Sequence, residues 1–313
     1  MIWTFLILLF GLAGVLIGAD IIVNAAIRVA KSLNMSQAFI GLTILSIGTS
    51  LPEIFTHIFS SIEVRKGVTE AAGLAVGTNI GSNIIQITLI LGVIGLFSTL
   101  RSSHTTLKRD YIIMLVGIVL LWIVSFDGFI GKIEGGLLAI LYIIYLVYLG
   151  RNEKIKEVNN YKTNYWWDGG LLIIGFSLLL FCATIVINKA LLVADILGVT
   201  GTFVGTLIIG VATALPELTT AIVALLKKSA DMSLGTLIGS NITNPMFALG
   251  IGAVISGYPV VKSIVWFDIP FWFLVSFMGL LFFWKKMELK HWEAGIMAAC
   301  YFLFVGFQLW VFA

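Results

Sequence analysis

Between Trp3 and Phe312 the chain is built almost without interruption from apolar stretches long enough to cross a bilayer. About 20 residues at 1.5 Å each cover roughly 30 Å of hydrocarbon. A backbone there has to satisfy its own hydrogen bonds, which leaves helices and closed barrels as spanning structures. Charged and turn-rich breaks delimit ten spans, near residues 3–30, 36–64, 71–98, 110–126, 133–150, 167–195, 200–227, 229–257, 263–284 and 290–312. The expected fold is therefore an all-α polytopic membrane protein with no room for a soluble domain. Only 11% of its residues are charged, against roughly 25% in soluble domains. A net charge of +3 suggests no nucleic-acid partner.

The first 20 residues, MIWTFLILLFGLAGVLIGAD, lack a basic leader, and their apolar run outlasts a signal-peptide core, so they are expected to be retained as the first span. Cys182 and Cys300 lie in apolar runs without metal-site or disulfide spacing and read as packing residues.

Basic residues sort by side. Fourteen of the nineteen lysines and arginines fall in one set of alternate loops and four in the other, with Lys189 inside a span. Because cytoplasmic loops carry the excess, the linker beginning at Arg151 is expected in the cytoplasm and both termini outside the cell.

The halves repeat. Glu53 matches Glu217 at an offset of 164, and GTNIGSNIIQITLILG from Gly77 matches GTLIGSNITNPMFALG from Gly235 at an offset of 158. Five spans per half place the second half upside down, an inverted repeat of residues 1–150 and 167–313 joined by a cytoplasmic linker at 151–166. Inverted repeats of this kind mark alternating-access transporters, with substrate held near the midplane.

Each half carries a polar interruption, SIGTSLPEIF from Ser46 and GVATALPELT from Gly210. Proline has no N–H and clashes with the carbonyl four residues back. Pro52 thus frees the Gly48 carbonyl and Pro216 that of Ala212, breaking the helices at the midplane. Broken backbone at this depth is tolerated where it is buried in protein or lines a polar cavity. By helical spacing, Thr49 lies over Glu53, Ser82 over Gln86, Thr213 over Glu217 and Ser240 over Asn244. The offered chemistry is all oxygen, which suits a hard cation such as Ca²⁺ and disfavours soft metals. Two facing carboxylates resist occlusion when unneutralised, so compulsory loading in both directions, antiport, is expected.

These motifs, GTSLPE and ATALPE each followed by GSNIIQ or GSNITN in the next span, resemble the paired repeats of the cation/Ca²⁺ antiporter superfamily. The likeness is to its Na⁺/Ca²⁺ exchanger branch in the short prokaryotic form, over the whole chain. The resemblance implies Ca²⁺ and Na⁺ ligation by Glu53 and Glu217, assisted by Thr49, Ser50, Ser82 and Gln86 from the first repeat and Thr213, Ser240 and Asn244 from the second. Backbone oxygens at Ser46 and Gly210 complete the implied set. It also implies sliding of spans 1 and 6, no enzymatic activity, no cofactor, and a monomer in the cell membrane. Three departures stand out: Ala214 replaces a hydroxyl, Gln86 stands where Asn is usual, and Asn244 where several relatives carry Asp.

H⁺/Ca²⁺ antiport is the alternative, since protons could neutralise the same carboxylates; a cation channel and an intramembrane protease rank behind it. The GSN segments also suit close helix packing through small residues. Asp20 reads as a hydrogen-bonded structural acid, and His57 as a solvated histidine towards the end of its span. Asp195 and Asp268 read as interfacial, and Trp3, Trp166, Trp167, Trp284 and Trp292 as an aromatic belt.

Overall fold

The computed structural model describes residues 2–103, 106–152, 164–196, 213–284 and 287–312. The helices are α1 (Ile2–Ser32), α2 (Gln37–Thr49), α3 (Leu51–Arg65), α4 (Glu70–Phe97), α5 (Ile112–Val124) and α6 (Lys132–Asn152). After the linker come α7 (Tyr165–Ile196), α8 (Leu215–Leu226), α9 (Ala230–Ser256), α10 (Ile264–Trp284) and α11 (His291–Phe312). Among the described residues seven helices are long and apolar enough to cross a membrane, and an eighth if α2 and α3 form one span.

The stretch expected as a single span at 36–64 is two helices bent by 43°. Its hinge is Ser50, at φ −82° and ψ 4°, just before Pro52. Ala214 occupies the same conformation, φ −85° and ψ 3°, just before Pro216. Both prolines fall in the first turn of the following helix, where a missing N–H costs nothing. The span expected at 110–126 begins as a π-turn over Thr106–Tyr111, rich in charge, and continues as α5. Of the span expected at 200–227, residues up to 212 lie outside the described set.

Two antiparallel ribbons of two residues per strand relate the halves. Leu100–Arg101 (β1) pairs with Glu288–Leu289 (β4), and Phe129–Ile130 (β2) with Tyr258–Pro259 (β3). A shift of 158 to 159 residues carries β1 onto β3 and β2 onto β4, so exchanging the halves converts one ribbon into the other. The π-turns repeat likewise: Gln86–Ile90 matches Asn244–Ala248, and Thr106–Tyr111 aligns with Ile264–Asp268.

The buried side chains form two clusters. The larger fills the space among α4, α5, α6 and α8 to α11. The smaller joins α1 and α7 to the faces of α2, α8 and α9 that they cover. Glycines let α1 and α7 approach at backbone distance: a Cβ on Gly18 would lie 2.8 Å from the Leu179 nitrogen. Arg28 then locks the pair by donating to Asp168 at 2.6 Å. The same device acts between α2 and α9, where a Cβ on Gly235 would sit 2.7 Å from the Ala38 carbonyl oxygen. In the second GSN segment Gly239 packs as closely, a Cβ there lying 2.7 Å from Ser46 Cβ as the packing reading expects, whereas a Cβ on Gly81 in the first would meet nothing within 4 Å.

Asp20 is a paired acid, though at 54% side-chain exposure it is no core residue. It accepts from Asn24 Nδ2 at 2.8 Å and from Lys227 Nζ at 2.6 Å, tying α1 to the end of α8. Asp268 is half-buried and accepts from Gln308, so it is held by α11 as well as lying near a helix end. The Asp195 side chain lies outside the described residues. Trp3, Trp166, Trp167, Trp284 and Trp292 are all exposed, as a lipid-facing belt requires.

Candidate cation-binding site

The helix break at Ser50 and the start of the helix after Ala214 bring two buried acids near each other. Glu53 and Glu217 each sit in the first turn of a helix, α3 and α8, that starts at the break. The N-terminal end of a helix carries partial positive charge, which favours a carboxylate there. Both side chains are buried, Glu217 completely. They interact electrostatically across the site, and the Thr49 and Ser50 hydroxyls stand beside Glu217.

The hydroxyls are oriented by the backbone behind them. Ser46 Oγ donates to the Leu42 carbonyl at 2.7 Å and Thr49 Oγ1 to that of Leu45 at 3.0 Å. Each spends its proton on its own helix and keeps oxygen lone pairs for another partner. Ser50 Oγ donates to Ser240 Oγ at 3.3 Å, bringing the first break against α9. On α4, Ser82 Oγ donates to Glu53 Oε1 at 3.4 Å, and Gln86 Nε2 donates to Ser82 Oγ at 3.2 Å. Gln86 and Asn244 each open a π-turn, a local unwinding frequent at functional positions.

Of the eleven residues singled out from the sequence, Ser46, Thr49, Ser50, Glu53, Ser82, Gln86, Glu217, Ser240 and Asn244 are all buried. Thr213 is half-buried at the start of the described part of the second break. Gly210 lies outside the described residues.

Four acceptor oxygens in this cluster have no hydrogen-bond partner in good geometry among the described residues, Glu53 Oε2, Glu217 Oε1, Glu217 Oε2 and Asn244 Oδ1, with the Thr49 and Ser50 hydroxyls near enough to Glu217 to interact with it. A buried acceptor without a donor costs about 1–3 kcal/mol, more if charged. Acceptor oxygens of this kind are ones that a hard cation can satisfy. No cluster of three or more His, Cys, Asp or Glu occurs among the described residues, so the donor set is that of a hard ion, with neutral oxygens around two charges. A cavity of about 180 Å³, lined by Glu53, Thr56, His57, Thr78, Asn79 and Thr213, reaches the site between α3 and α4.

His57 corrects the sequence reading: it is buried, not solvated. Asn79 Nδ2 donates to its Nε2 at 2.9 Å, Nδ1 faces the Tyr258 hydroxyl at 3.3 Å, and Tyr258 also donates to the His57 carbonyl at 2.7 Å. Sequence reasoning missed Asn79, Asn83, Asn241 and Trp272 as well. Asn83 and Asn241 were signalled, because they repeat within the two GSN triplets at the same offset as the neighbouring serines. Trp272 was signalled by its distance from either end of its span, where a belt tryptophan would not lie.

The family described as sodium/calcium exchanger protein matches residues 3–151 and 167–310. The sodium/calcium exchanger MaX1 of Methanosarcina acetivorans is 32% identical over 96% of this chain and 97% of its own length. The inner membrane protein YrbG of Escherichia coli is 30% identical over 97% of this chain and 94% of its own. Among solved structures, the sodium-calcium exchanger NCX_Mj soaked with 2.5 mM Na⁺ and 0.1 mM Ca²⁺ superposes with a TM-score of 0.83 at 28% identity, covering 100% of this chain and 99% of that one.

Proposed function

Because the chain belongs to the sodium/calcium exchanger family, we propose that it is a secondary antiporter moving Ca²⁺ against Na⁺ by alternating access, with its cargo held between Glu53 and Glu217. The observation that carries this reading is the set of four buried acceptor oxygens without donors in good geometry, three of them on the two glutamates. One Ca²⁺, or a group of Na⁺ ions, balances the two carboxylates; without cargo their repulsion and desolvation oppose occlusion. Thr49, Ser50, Ser82, Thr213, Ser240 and Asn244 would supply the remaining side-chain oxygens, and the loosened backbone at Ser46 and Gly210 the carbonyls.

The molecule is a multi-pass membrane protein, and we assign it ten spans in two inverted halves, 1–150 and 167–313, joined by a cytoplasmic linker at 151–166, with both termini outside. The interchangeable ribbons and the matched breaks at Ser50 and Ala214 support the two-fold arrangement. The separate apolar cluster joining α1 and α7 to the breaks supports motion of that pair as a unit. The cavity beside Glu53 lies on the side of the turn carrying Lys66, the outer side in this topology.

The test is equilibrium ⁴⁵Ca²⁺ binding to the purified protein. Retention displaced by Na⁺ and lost in Glu53→Gln is the expected result; retention unaffected by both Na⁺ and the substitution refutes the assignment. Displacement by protons alone would make the protein an H⁺/Ca²⁺ antiporter on the same two glutamates, with the missing hydroxyl at Ala214 as its cause.

A further inference from the structure

Trp272 of α10 is fully buried close to the site without belonging to it. An indole N–H can only donate, and it donates to Asn241 Oδ1 at 3.0 Å. The Asn241 amide nitrogen must then face the other way, where it donates to the Leu237 carbonyl at 3.0 Å and to Gln86 Oε1 at 2.9 Å. A donor-only group on one side and an acceptor-only carbonyl on the other leave this amide a single orientation, and that orientation fixes the next. With its oxygen engaged by Asn241, Gln86 turns its N–H towards Ser82, and Ser82 turns its O–H towards Glu53. Every donor from Trp272 to Glu53 points the same way.

The equivalent amides of the other repeat run in the opposite sense. Asn79 Nδ2 donates to the Asn244 backbone carbonyl at 3.0 Å, so Asn79 Oδ1 faces Asn83 and accepts at 3.2 Å. Asn83 Oδ1 in turn accepts from Asn244 Nδ2 at 3.2 Å, which leaves Asn244 Oδ1 as one of the undonated acceptors. At the offset of 158, Gln86 corresponds to Asn244, Asn83 to Asn241, and Trp272 to Met114, which has no N–H to give. Equivalent positions thus present opposite atoms, an oxygen from Asn244 and an N–H from Gln86.

We propose that Trp272 and Asn241 are positioning residues that set the cation preference by holding Gln86 as a hydrogen-bond donor to Ser82 rather than an oxygen ligand, so that Asn244 alone supplies an amide oxygen. This rests on the proposed cation site at Glu53 and Glu217. The donor chain withholds one oxygen from a divalent ion, which prefers six to eight, and occupies a lone pair of Glu53 through Ser82. Binding is thereby kept weak enough for release.

The test is a double-mutant cycle read by ⁴⁵Ca²⁺ binding and Na⁺ displacement on the purified full chain. Trp272→Phe retains most of the ring volume and removes the donor; Asn241 and Gln86 can then turn, and the half-saturating Ca²⁺ concentration is expected to fall about tenfold, roughly 1.4 kcal/mol. In a Gln86→Met background the same substitution is expected to leave Ca²⁺ affinity unchanged. Asn241→Asp provides a second probe should the ring substitution impair folding, because a carboxylate accepts the indole N–H but cannot donate to Gln86. Its effect on Ca²⁺ affinity should likewise depend on the residue at 86. A purely structural role would lower the melting temperature in both backgrounds and leave the coupling at zero, which overturns the relay, as would a weaker Ca²⁺ affinity in Trp272→Phe. Wild-type protein that binds no Ca²⁺ overturns the underlying site as well; normal wild-type binding with zero coupling overturns the relay alone.

Discussion

Glu217→Gln changes one atom and removes one of the two charges that the site offers its cargo. A carboxylate oxygen about 2.4 Å from Ca²⁺ contributes about 14 kcal/mol of attraction at an effective dielectric of 20. Part of this is offset, because the variant no longer buries an unpaired carboxylate, a cost of several kcal/mol in the wild type. A net loss on the order of 5 kcal/mol remains, more than a thousandfold in affinity. The cation-free fold should gain stability, since neither Glu217 oxygen meets a donor in good geometry and Glu53 repels the carboxylate. An amide relieves that repulsion and brings an N–H to a site rich in orphaned acceptors. The assay is thermal unfolding in detergent with chelator and with Ca²⁺. Wild-type protein should be stabilised by Ca²⁺, by about 2.7 kcal/mol at a hundred times the dissociation constant. The variant should melt higher in chelator and show no Ca²⁺ response. A Ca²⁺-dependent shift equal to that of the wild type would refute the placement of cargo against Glu217.

Ala214→Ser restores a hydroxyl at the position equivalent to Ser50 and is expected to lower the half-saturating Na⁺ concentration about threefold, about 0.7 kcal/mol, as read by Na⁺ displacement of ⁴⁵Ca²⁺. Reversing Asp20 or Lys227 singly should alter the exchange rate by a few-fold, since a partly exposed pair contributes about 0.2–1 kcal/mol, and the double reversal should restore it in flux assays. Gly235→Leu forces α9 away from the Ala38 carbonyl and is expected to destabilise by about 1–3 kcal/mol, seen as a lower melting temperature; an unchanged one would mean that the two helices are not packed at backbone distance.

The break at Ser50 and the two buried acids were legible because physics leaves few reasons for a proline and a glutamate inside an apolar span, and fewer for the same pair twice. The bend at Ser50 falls where Pro52 puts it. Packing of Gly235 on α2 was legible in kind, since small residues announce close approach. The amide chains were not, because the role of Gln86 depends on which atom Asn241 turns to it. That choice is made by the Leu237 carbonyl one turn back and by Trp272, 31 residues away on another helix. His57 was misplaced for the same reason: an imidazole near a span's end reads as solvated until Asn79 and Tyr258 are seen to enclose it. Periodicity reports which face a residue occupies, whereas its hydrogen-bond sense is set by partners distant in sequence.

The most direct measurement is ⁴⁵Ca²⁺ uptake into proteoliposomes of the purified protein under an outward Na⁺ gradient, an outward H⁺ gradient, or neither. Uptake driven by the Na⁺ gradient and absent in Glu53→Gln is the predicted result. Uptake indifferent to both gradients, or undiminished in Glu53→Gln, would contradict coupled exchange at the paired glutamates.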